Sequence, residues 1–191
     1  RAGNEYLFSM LAEGNIENLN TAKVKKIVTT CPHCLHTLKN EYPQFGGNYE
    51  VIHHTQLIDE LQRSGALKFN NEHQNITYHD PCYLGRHNNV YDEPRQALSN
   101  SGLSIKEMDR NRNDSFCCGA GAGNMWKEEE EGTEAVRRDR FKEAVATDSE
   151  VICVGCPFCK TMLHDAGNEL ESKIEVKDIA EVLADKLEGS K

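Results

Sequence analysis

IVTTCPHCLHTL, residues 27–38, sets an apolar segment (Val24 to Thr30) directly before Cys31-Pro32-His33-Cys34 and a helical pattern after it. A C-x-x-C where a strand gives way to a helix is the layout of a thioredoxin-like redox pair. The same spacing also supplies two thiolates to a metal or an iron–sulfur cluster. A second stretch, ICVGCPFCKTML at 152–163, repeats the arrangement. With a shift of 125 positions, residues 25–62 align on 150–187 without a gap. Ile27 falls on Ile152, Cys31 on Cys156, Pro32 on Pro157, Cys34 on Cys159 and Leu38 on Leu163. Each copy reads strand, C-P-x-C, helix, strand, helix, so the chain is read as duplicated.

Hydrophobic periodicity extends this outward. Helices are expected at Glu5 to Thr21, Pro32 to Glu41, Gln56 to Arg63, Glu93 to Asn100, Glu134 to Thr147, Pro157 to Leu170 and Asp178 to Leu187. Strands are expected at Val24 to Thr30, Tyr49 to His53, Asn75 to His79, Leu103 to Met108, Glu150 to Val154 and Lys173 to Val176, with a Pro/Gly turn at Pro43 to Asn48. This alternation predicts an α/β fold, with duplicated strand–CPxC–helix–strand–helix units around largely parallel sheets. Residues 1–70 read as the C-terminal part of a first repeat and 71–191 as a complete second repeat. In the second copy, Cys117-Cys118-Gly119 precedes the C-P-x-C, and the matching positions of the first copy fall upstream of Arg1. Cys31 and Cys34 are therefore expected to be the tail of a site whose other ligands lie outside this sequence, and the chain is read as a C-terminal fragment.

Bulk composition narrows the function classes. The chain has 191 residues, 31 acidic against 22 basic, and a formal charge of −9. That balance argues against a nucleic-acid partner, which needs a basic face. The acidic run Glu128 to Glu131 reads as a solvated helix face or loop. No apolar run approaches a membrane span and no signal peptide is visible. Eight cysteines are many. A secreted disulfide framework is the alternative, but such domains are loop-rich and lack the strand–helix alternation seen here.

The cysteines form one full set: Cys82, then thirty-four residues, Cys117-Cys118-Gly119, then Cys156-Pro157-Phe158-Cys159. Adjacent cysteines are poorly placed to pair with each other, since relaxed disulfide geometry needs more separation. Side by side they present two thiolates to neighbouring metal atoms. Gly119 and the Gly-Ala-Gly after Ala120 permit positive φ and leave backbone N–H groups for inorganic sulfide. Pro32 and Pro157 suit a first helical turn, placing each C-P-x-C at a helix N-terminus that favours thiolate. Thiolates select zinc, copper(I) or iron–sulfur clusters. Five cysteines exceed the four of a structural zinc site and favour a cluster, with zinc as the alternative.

Other residues carry weaker expectations. Cys153 maps onto Val28 and reads as a buried strand cysteine. His79, ahead of Asp80-Pro81-Cys82, is a candidate hydrogen-bond donor or proton carrier near the site, against a purely structural reading. His53-His54 has no evident partner. His33 tunes thiolate basicity in this reading, but Phe158 replaces it in the second copy, so the site does not require it. Trp126, with Met125, is expected to pack over the glycine loop, an exposed docking aromatic being the alternative.

Cys…Cys-Cys-Gly…Cys-x-x-Cys at these distances resembles the cysteine-rich CCG domain of the heterodisulfide reductase B/D-subunit family, which includes glycolate and lactate oxidase iron–sulfur subunits. CPHCLHTLKNEYPQFGGNYEVIHHTQLI, YHDPCYLGRHNNVYDEPR, CCGAGAGNMW and CPFCKTML are similar to membrane-associated iron–sulfur oxidoreductases that pass electrons from electron-transfer flavoprotein toward quinone. The resemblance implies a four-iron (4Fe-4S type) cluster, non-cubane in heterodisulfide reductase, on Cys82, Cys117, Cys118, Cys156 and Cys159. Cys31 and Cys34 would complete the cluster of the first motif, with His79 and Gly119 behind the ligands. It further implies an oxidoreductase subunit or domain relaying electrons from a flavoprotein or ferredoxin-type donor to a quinone or disulfide. Family relatives carry N-terminal membrane helices and ferredoxin-type clusters. The parent protein is thus expected on the cytoplasmic face of a membrane, and the isolated fragment is expected to be inactive alone. Two alternatives stay open: a cofactor-free thiol–disulfide oxidoreductase using Cys31 and Cys34, and a structural zinc-binding module.

Overall fold

The computed structural model describes residues 3–70, 73–128 and 132–188. Strands β1 (Lys26–Thr29) and β2 (Glu50–His53) form one parallel pair. Strands β3 (Gln74–His79), β4 (Leu103–Ile105), β5 (Val151–Val154) and β6 (Glu175–Asp178) form a four-stranded parallel sheet in the order β4-β3-β5-β6. The helices are α1 (Glu5–Thr21), α2 (Pro32–His36), α3 (His54–Arg63), α4 (Asp92–Ser99), α5 (Val136–Val145), α6 (Pro157–Glu169) and α7 (Ile179–Ala184). This is the α/β class the alternation predicts.

Strand register preserves the repeat. Lys26, Ile27, Val28 and Thr29 pair with Glu50, Val51, Ile52 and His53. Adding 125 to each position gives the pairing of β5 with β6, from Val151↔Glu175 to Val154↔Asp178. The surroundings differ. β5 lies between β3 and β6 and is buried on both faces, whereas among the described residues β1 pairs with β2 alone. Val28 is 45 % exposed where its counterpart Cys153 is 0 %.

The four-stranded sheet owes its burial to alternation along β5. Ile152 and Val154 face a cluster with Phe141 of α5 and Met162 and Leu163 of α6. Val151 and Cys153 face the other way, onto Ile76 and Tyr78 of β3, Ala97 and Leu98 of α4, and Ile179, Val182 and Leu183 of α7. A parallel strand covered on both sides reads as a continuous apolar run, as VICV does.

Several boundaries depart from the sequence reading. The expected helix 32–41 stops as α2 at His36, then winds through a π turn (Thr37–Glu41) and a 3-10 turn (Tyr42–Phe45) that ends at Gly46, φ +83°. β4 is three residues long, not six: Glu107 turns toward Arg95 and Asn111 caps the Met108 carbonyl. β6 begins two residues late because the chain is still turning through Glu171, φ +50°, and Ser172, whose hydroxyl accepts from the Ile174 N–H. Asp178 caps α7 rather than starting it. Trp126 touches the glycine loop near Gly123 yet is 74 % exposed, with Phe158 as a ring partner. Its flanking 121–126 segment is a 3-10 helix, too short to bury so large a ring. Glu128 is exposed, and Glu129–Glu131 lie outside the described residues.

Two buried polar arrangements fasten the cysteine-bearing loops. At the seam between the sheets, the His53 Nε2–H donates to the Thr30 carbonyl at 3.3 Å and bonds the Gly155 backbone too, while Nδ1 accepts from the Thr55 hydroxyl at 2.8 Å. Thr30 and Gly155 are matched positions of the repeat, each just before a C-P-x-C cysteine. Beside it, His54 Nε2 lies 3.0 Å from Asp178 Oδ1. In the second arrangement, Arg95 makes a two-pronged contact with Asp80, 2.8 Å on each prong, and a further pair of bonds to Glu107. Asp80 also accepts from the Arg112 N–H at 2.7 Å, and its carbonyl accepts from the Ser115 hydroxyl. The His79-Asp80-Pro81-Cys82 loop is thereby tied to the segment that leads into Cys117.

Replacing Arg95 by Met strands a buried carboxylate, and urea denaturation is expected to show a loss of about 3–5 kcal/mol, the usual range for breaking a buried ion pair on one side. His53 supplies a pH test. Burial, and then the neighbouring His54, push its pKa down to about 3 from 6.5. Between those values the unfolded chain binds the extra proton, so stability is full above pH 6.5 and falls as pH drops. From pH 7 to pH 5 this group alone removes about 2 kcal/mol. His53→Gln is expected to lower stability at pH 7 but to show a decline over that interval shallower by a comparable amount.

Candidate metal centre

The loops and helix starts bring seven of the eight cysteines into one neighbourhood. Cys31 and Cys156 are the N-caps of α2 and α6, each followed by proline in the first turn, as proline's fixed φ and missing N–H favour. Cys34 and Cys159 sit one turn further in. Cys82 leaves β3 on a tight turn in which the Leu84 and Gly85 N–H groups donate to the Pro81 carbonyl. Cys117 and Cys118 precede Gly119, whose φ is +93°. A Cβ there would lie 3.3 Å from Met162 Cε and 3.4 Å from Arg137 N, so both conformation and space call for glycine. The Gly119 N–H donates to Cys117 Sγ at 3.3 Å, the backbone-to-sulfur contact that a small residue permits.

Electrostatic coupling traces the contact between sulfurs. Cys118 is held well below the usual thiol range by hydrogen bonds from Cys117 and Cys159, with a further bond from His79. Cys117 is pushed up by Cys118 first and burial second. Cys159 is pushed up by Cys118 and Cys156 together with burial. Cys156 is lowered to about 5, chiefly by Cys159 and also by His33, against the cost of burial. Cys82 is raised by burial and by the nearby charges of Cys118 and Cys156. Each of these four sulfurs titrates under the influence of its neighbours, with a fifth sulfur close by. Cys118, Cys156 and Cys159 are buried, Cys82 and Cys117 half-buried.

The first C-P-x-C is not remote from this set. His33 hydrogen-bonds both Cys31, with Nδ1 3.8 Å from Sγ, and Cys156. Those two bonds, in the order Cys156 then Cys31, raise its pKa to about 9 against the effect of burial. Burial drives Cys31 up, but the His33 bond and those from Cys34 outweigh it and lower the thiol. Burial and the Cys31 charge raise Cys34 to about 11, although its residue surface is exposed. On sequence alone His33 is dispensable, because Phe158 stands in the second copy. The structure instead brings the two matched positions together, ring centroids 5.2 Å apart and edge to face, with the imidazole as the joint between motifs. The aromatic wall continues from His33 to Tyr83 at 4.2 Å and His87 beyond, and from Phe158 to Trp126.

Cys153 stands apart. It lies on β5 in register with Tyr78 and Lys177, in the cluster on the opposite face from Cys156 and Cys159. A ring nitrogen of His79 and the sulfurs of Cys118 and Cys159 lie within 4.8 Å of one another. Two contributors escape the sequence reading. Arg95 and Arg140 are polar residues in helical stretches, and neither carries a pattern that would announce burial.

The donor set fits a polynuclear centre. Five soft sulfur donors lie in this neighbourhood, one more than tetrahedral zinc takes, and a bound metal would displace their protons. Buried thiolates without a cation are costly, so a positively charged core is the economical partner.

Comparison with known proteins agrees with this chemistry. The description that matches is that of the CCG cysteine-rich domain, over residues 1–39 and 76–164. A probable iron–sulfur-binding oxidoreductase FadF from Bacillus subtilis is 46 % identical over 194 residues, covering 100 % of this chain and 27 % of its own length. The EtfAB:quinone oxidoreductase of Syntrophomonas wolfei is 45 % identical over 192 residues, with 96 % of this chain and 27 % of its own length covered. One subunit of the dihydromethanophenazine:CoB–CoM heterodisulfide reductase from Methanosarcina barkeri is 37 % identical over 182 residues, covering 93 % of this chain and 44 % of its own. The chain thus spans between about a quarter and under half the length of these relatives, and it belongs to the CCG cysteine-rich domain family.

Proposed function

We propose that this chain is an iron–sulfur electron-transfer module of an oxidoreductase, with a four-iron cluster held by Cys82, Cys117, Cys118, Cys156 and Cys159. The observation that carries the reading is geometric: Cys118, Cys156 and Cys159 share one buried cluster, with the Cys118 and Cys159 sulfurs and a His79 nitrogen within 4.8 Å of one another. When bound, such a group supplies one-electron redox chemistry whose potential depends on ligands, hydrogen bonds and burial. The chain's residues do the rest. Gly119 offers its N–H to Cys117, His33 spans the two C-P-x-C motifs, and Tyr83, Phe158 and Trp126 form the wall through which a partner approaches.

Residues 71–191 are then a complete unit and 1–70 the C-terminal part of another. In support, among the described residues β1 pairs with β2 only and Val28 is half-exposed, where β5 also has β3 beside it. Cys31 and Cys34 would serve a second cluster. In the whole protein, the donor would be electron-transfer flavoprotein or another redox protein and the acceptor a quinone or disulfide, at the cytoplasmic face of the membrane. The names of the relatives support this choice of partners. Among the described residues, no helix is long and apolar enough to cross a membrane.

Anaerobic reconstitution is expected to give a brown chain with iron and acid-labile sulfide near four each per complete site. Cys118→Ser and Cys159→Ser are expected to lose most of that content, whereas Cys153→Ala retains it. A colourless chain holding one zinc and no iron would favour the structural zinc reading and overturn ours. A second reading rests on the lowered Cys31 thiol beside exposed Cys34. Insulin reduction by the metal-free chain, abolished by Cys31→Ser, would support a thiol–disulfide oxidoreductase instead.

A further inference from the structure

His79 has two possible relations to the sulfur pocket. Its ring nitrogen lies with the Cys118 and Cys159 sulfurs inside a 4.8 Å span, a spacing that suits a ligand to a shared metal ion. A histidine that binds metal gives one unprotonated nitrogen to the metal and donates the other N–H to a carboxylate, carbonyl or water. One of the His79 nitrogens meets the opposite kind of group, which leaves the other to face the sulfurs. Arg140 Nε donates to His79 Nδ1 at 3.0 Å. A guanidinium has five N–H donors and no acceptor, so Nδ1 must be the lone-pair nitrogen. In the neutral imidazole the proton then sits on Nε2.

The guanidinium has no freedom to turn away. Arg140 is 0 % exposed, and its Nη1 donates to the Arg110 carbonyl and to Glu143 Oε2, both at 2.9 Å. Glu143 is itself held by Arg110, through the backbone N–H at 2.7 Å and the side chain. His79 is 1 % exposed, so bulk solvent does not reach it. The Arg140 Nη2 is buried and has no acceptor among the described residues.

We infer that His79 is a hydrogen-bond donor from Nε2–H to the Cys118 sulfur and not a metal ligand, and that Arg140 is the positioning residue that fixes this tautomer. The assignment of the tautomer stands on the Arg140 contact alone. Its consequence for redox potential rests on the cluster reading above. An N–H aimed at a ligand sulfur disperses the charge that reduction adds, and so raises the potential. The same contact explains why a histidine can sit against this pocket while five sulfurs already fill it.

The test reads tautomer and potential separately. Long-range proton–nitrogen correlation on the ¹⁵N-histidine-labelled chain should show His79 protonated at Nε2 and bare at Nδ1. Arg140→Gln, whose amide still donates, should keep that pattern, and Arg140→Met should convert it to a mixture. A proton on Nδ1 in the unaltered chain would overturn the inference whether or not any iron is bound. In the reconstituted chain, pulsed electron paramagnetic resonance should show only weak ¹⁴N coupling from His79. A strong coupling typical of a directly bonded nitrogen would equally overturn it. His79→Phe should take up iron at the unaltered level with a lower midpoint potential, and His79→Gln should recover part of the shift. An unchanged potential in His79→Phe refutes the donor role. Failure of the unaltered chain to take up iron would instead count against the cluster reading, leaving the nitrogen spectra to decide the tautomer.

Discussion

The structure depends on one contact: the junctions where β1 meets α2 and β5 meets α6 are held face to face across the seam of the sheets. His53 bonds the residue before each cysteine, and His33 bonds a cysteine on either side. Both contacts join matched positions of the repeat, so the pocket forms where the two copies meet. Without that meeting, Cys31 and Cys34 would be a solvent-facing pair and the second set would lose one wall. Cys82 and Cys156 come together because the neighbouring parallel strands β3 and β5 deliver their C-terminal ends to a common edge, which is where open α/β sheets gather their ligands.

Much of this was legible in the sequence, for a physical reason. A gapless repeat that retains Cys-Pro at the same strand–helix junction constrains register, and the β1–β2 and β5–β6 pairings do correspond residue for residue. The apolar run VICV and the first-turn prolines likewise announced a covered strand and two helix starts. Element ends were less legible, as at β6, where the Ser172 side chain holds the chain in a turn that hydrophobicity does not record. The side-chain joints were not legible at all. His33 looked replaceable because comparison of the two copies treats each position alone, whereas His33 and Phe158 act on each other. Arg140 sits in the charged run VRRDRFKEAV and gives no sign that one of its three arginines is wholly buried.

The balance of charge inside the pocket also separates stability from chemistry. Arg95 is neutralised by Asp80 and Glu107, a closed set that pins the backbone leading to Cys82 and Cys117. Arg140 is neutralised only in part, by Glu143, and offers one of its donors to His79. The first ion pair builds the loop, and the second sets the polarity of a group facing the sulfurs.

The central claim is spatial: one inorganic core lies among the sulfurs of Cys82, Cys117, Cys118, Cys156 and Cys159. Diffraction at the iron absorption edge from anaerobically grown crystals of the reconstituted chain tests it most directly. The account predicts a compact group of anomalous peaks enclosed by those five sulfurs, with His79 outside bonding distance. Peaks elsewhere in the chain, or a single zinc-edge peak with four ligands, would contradict it.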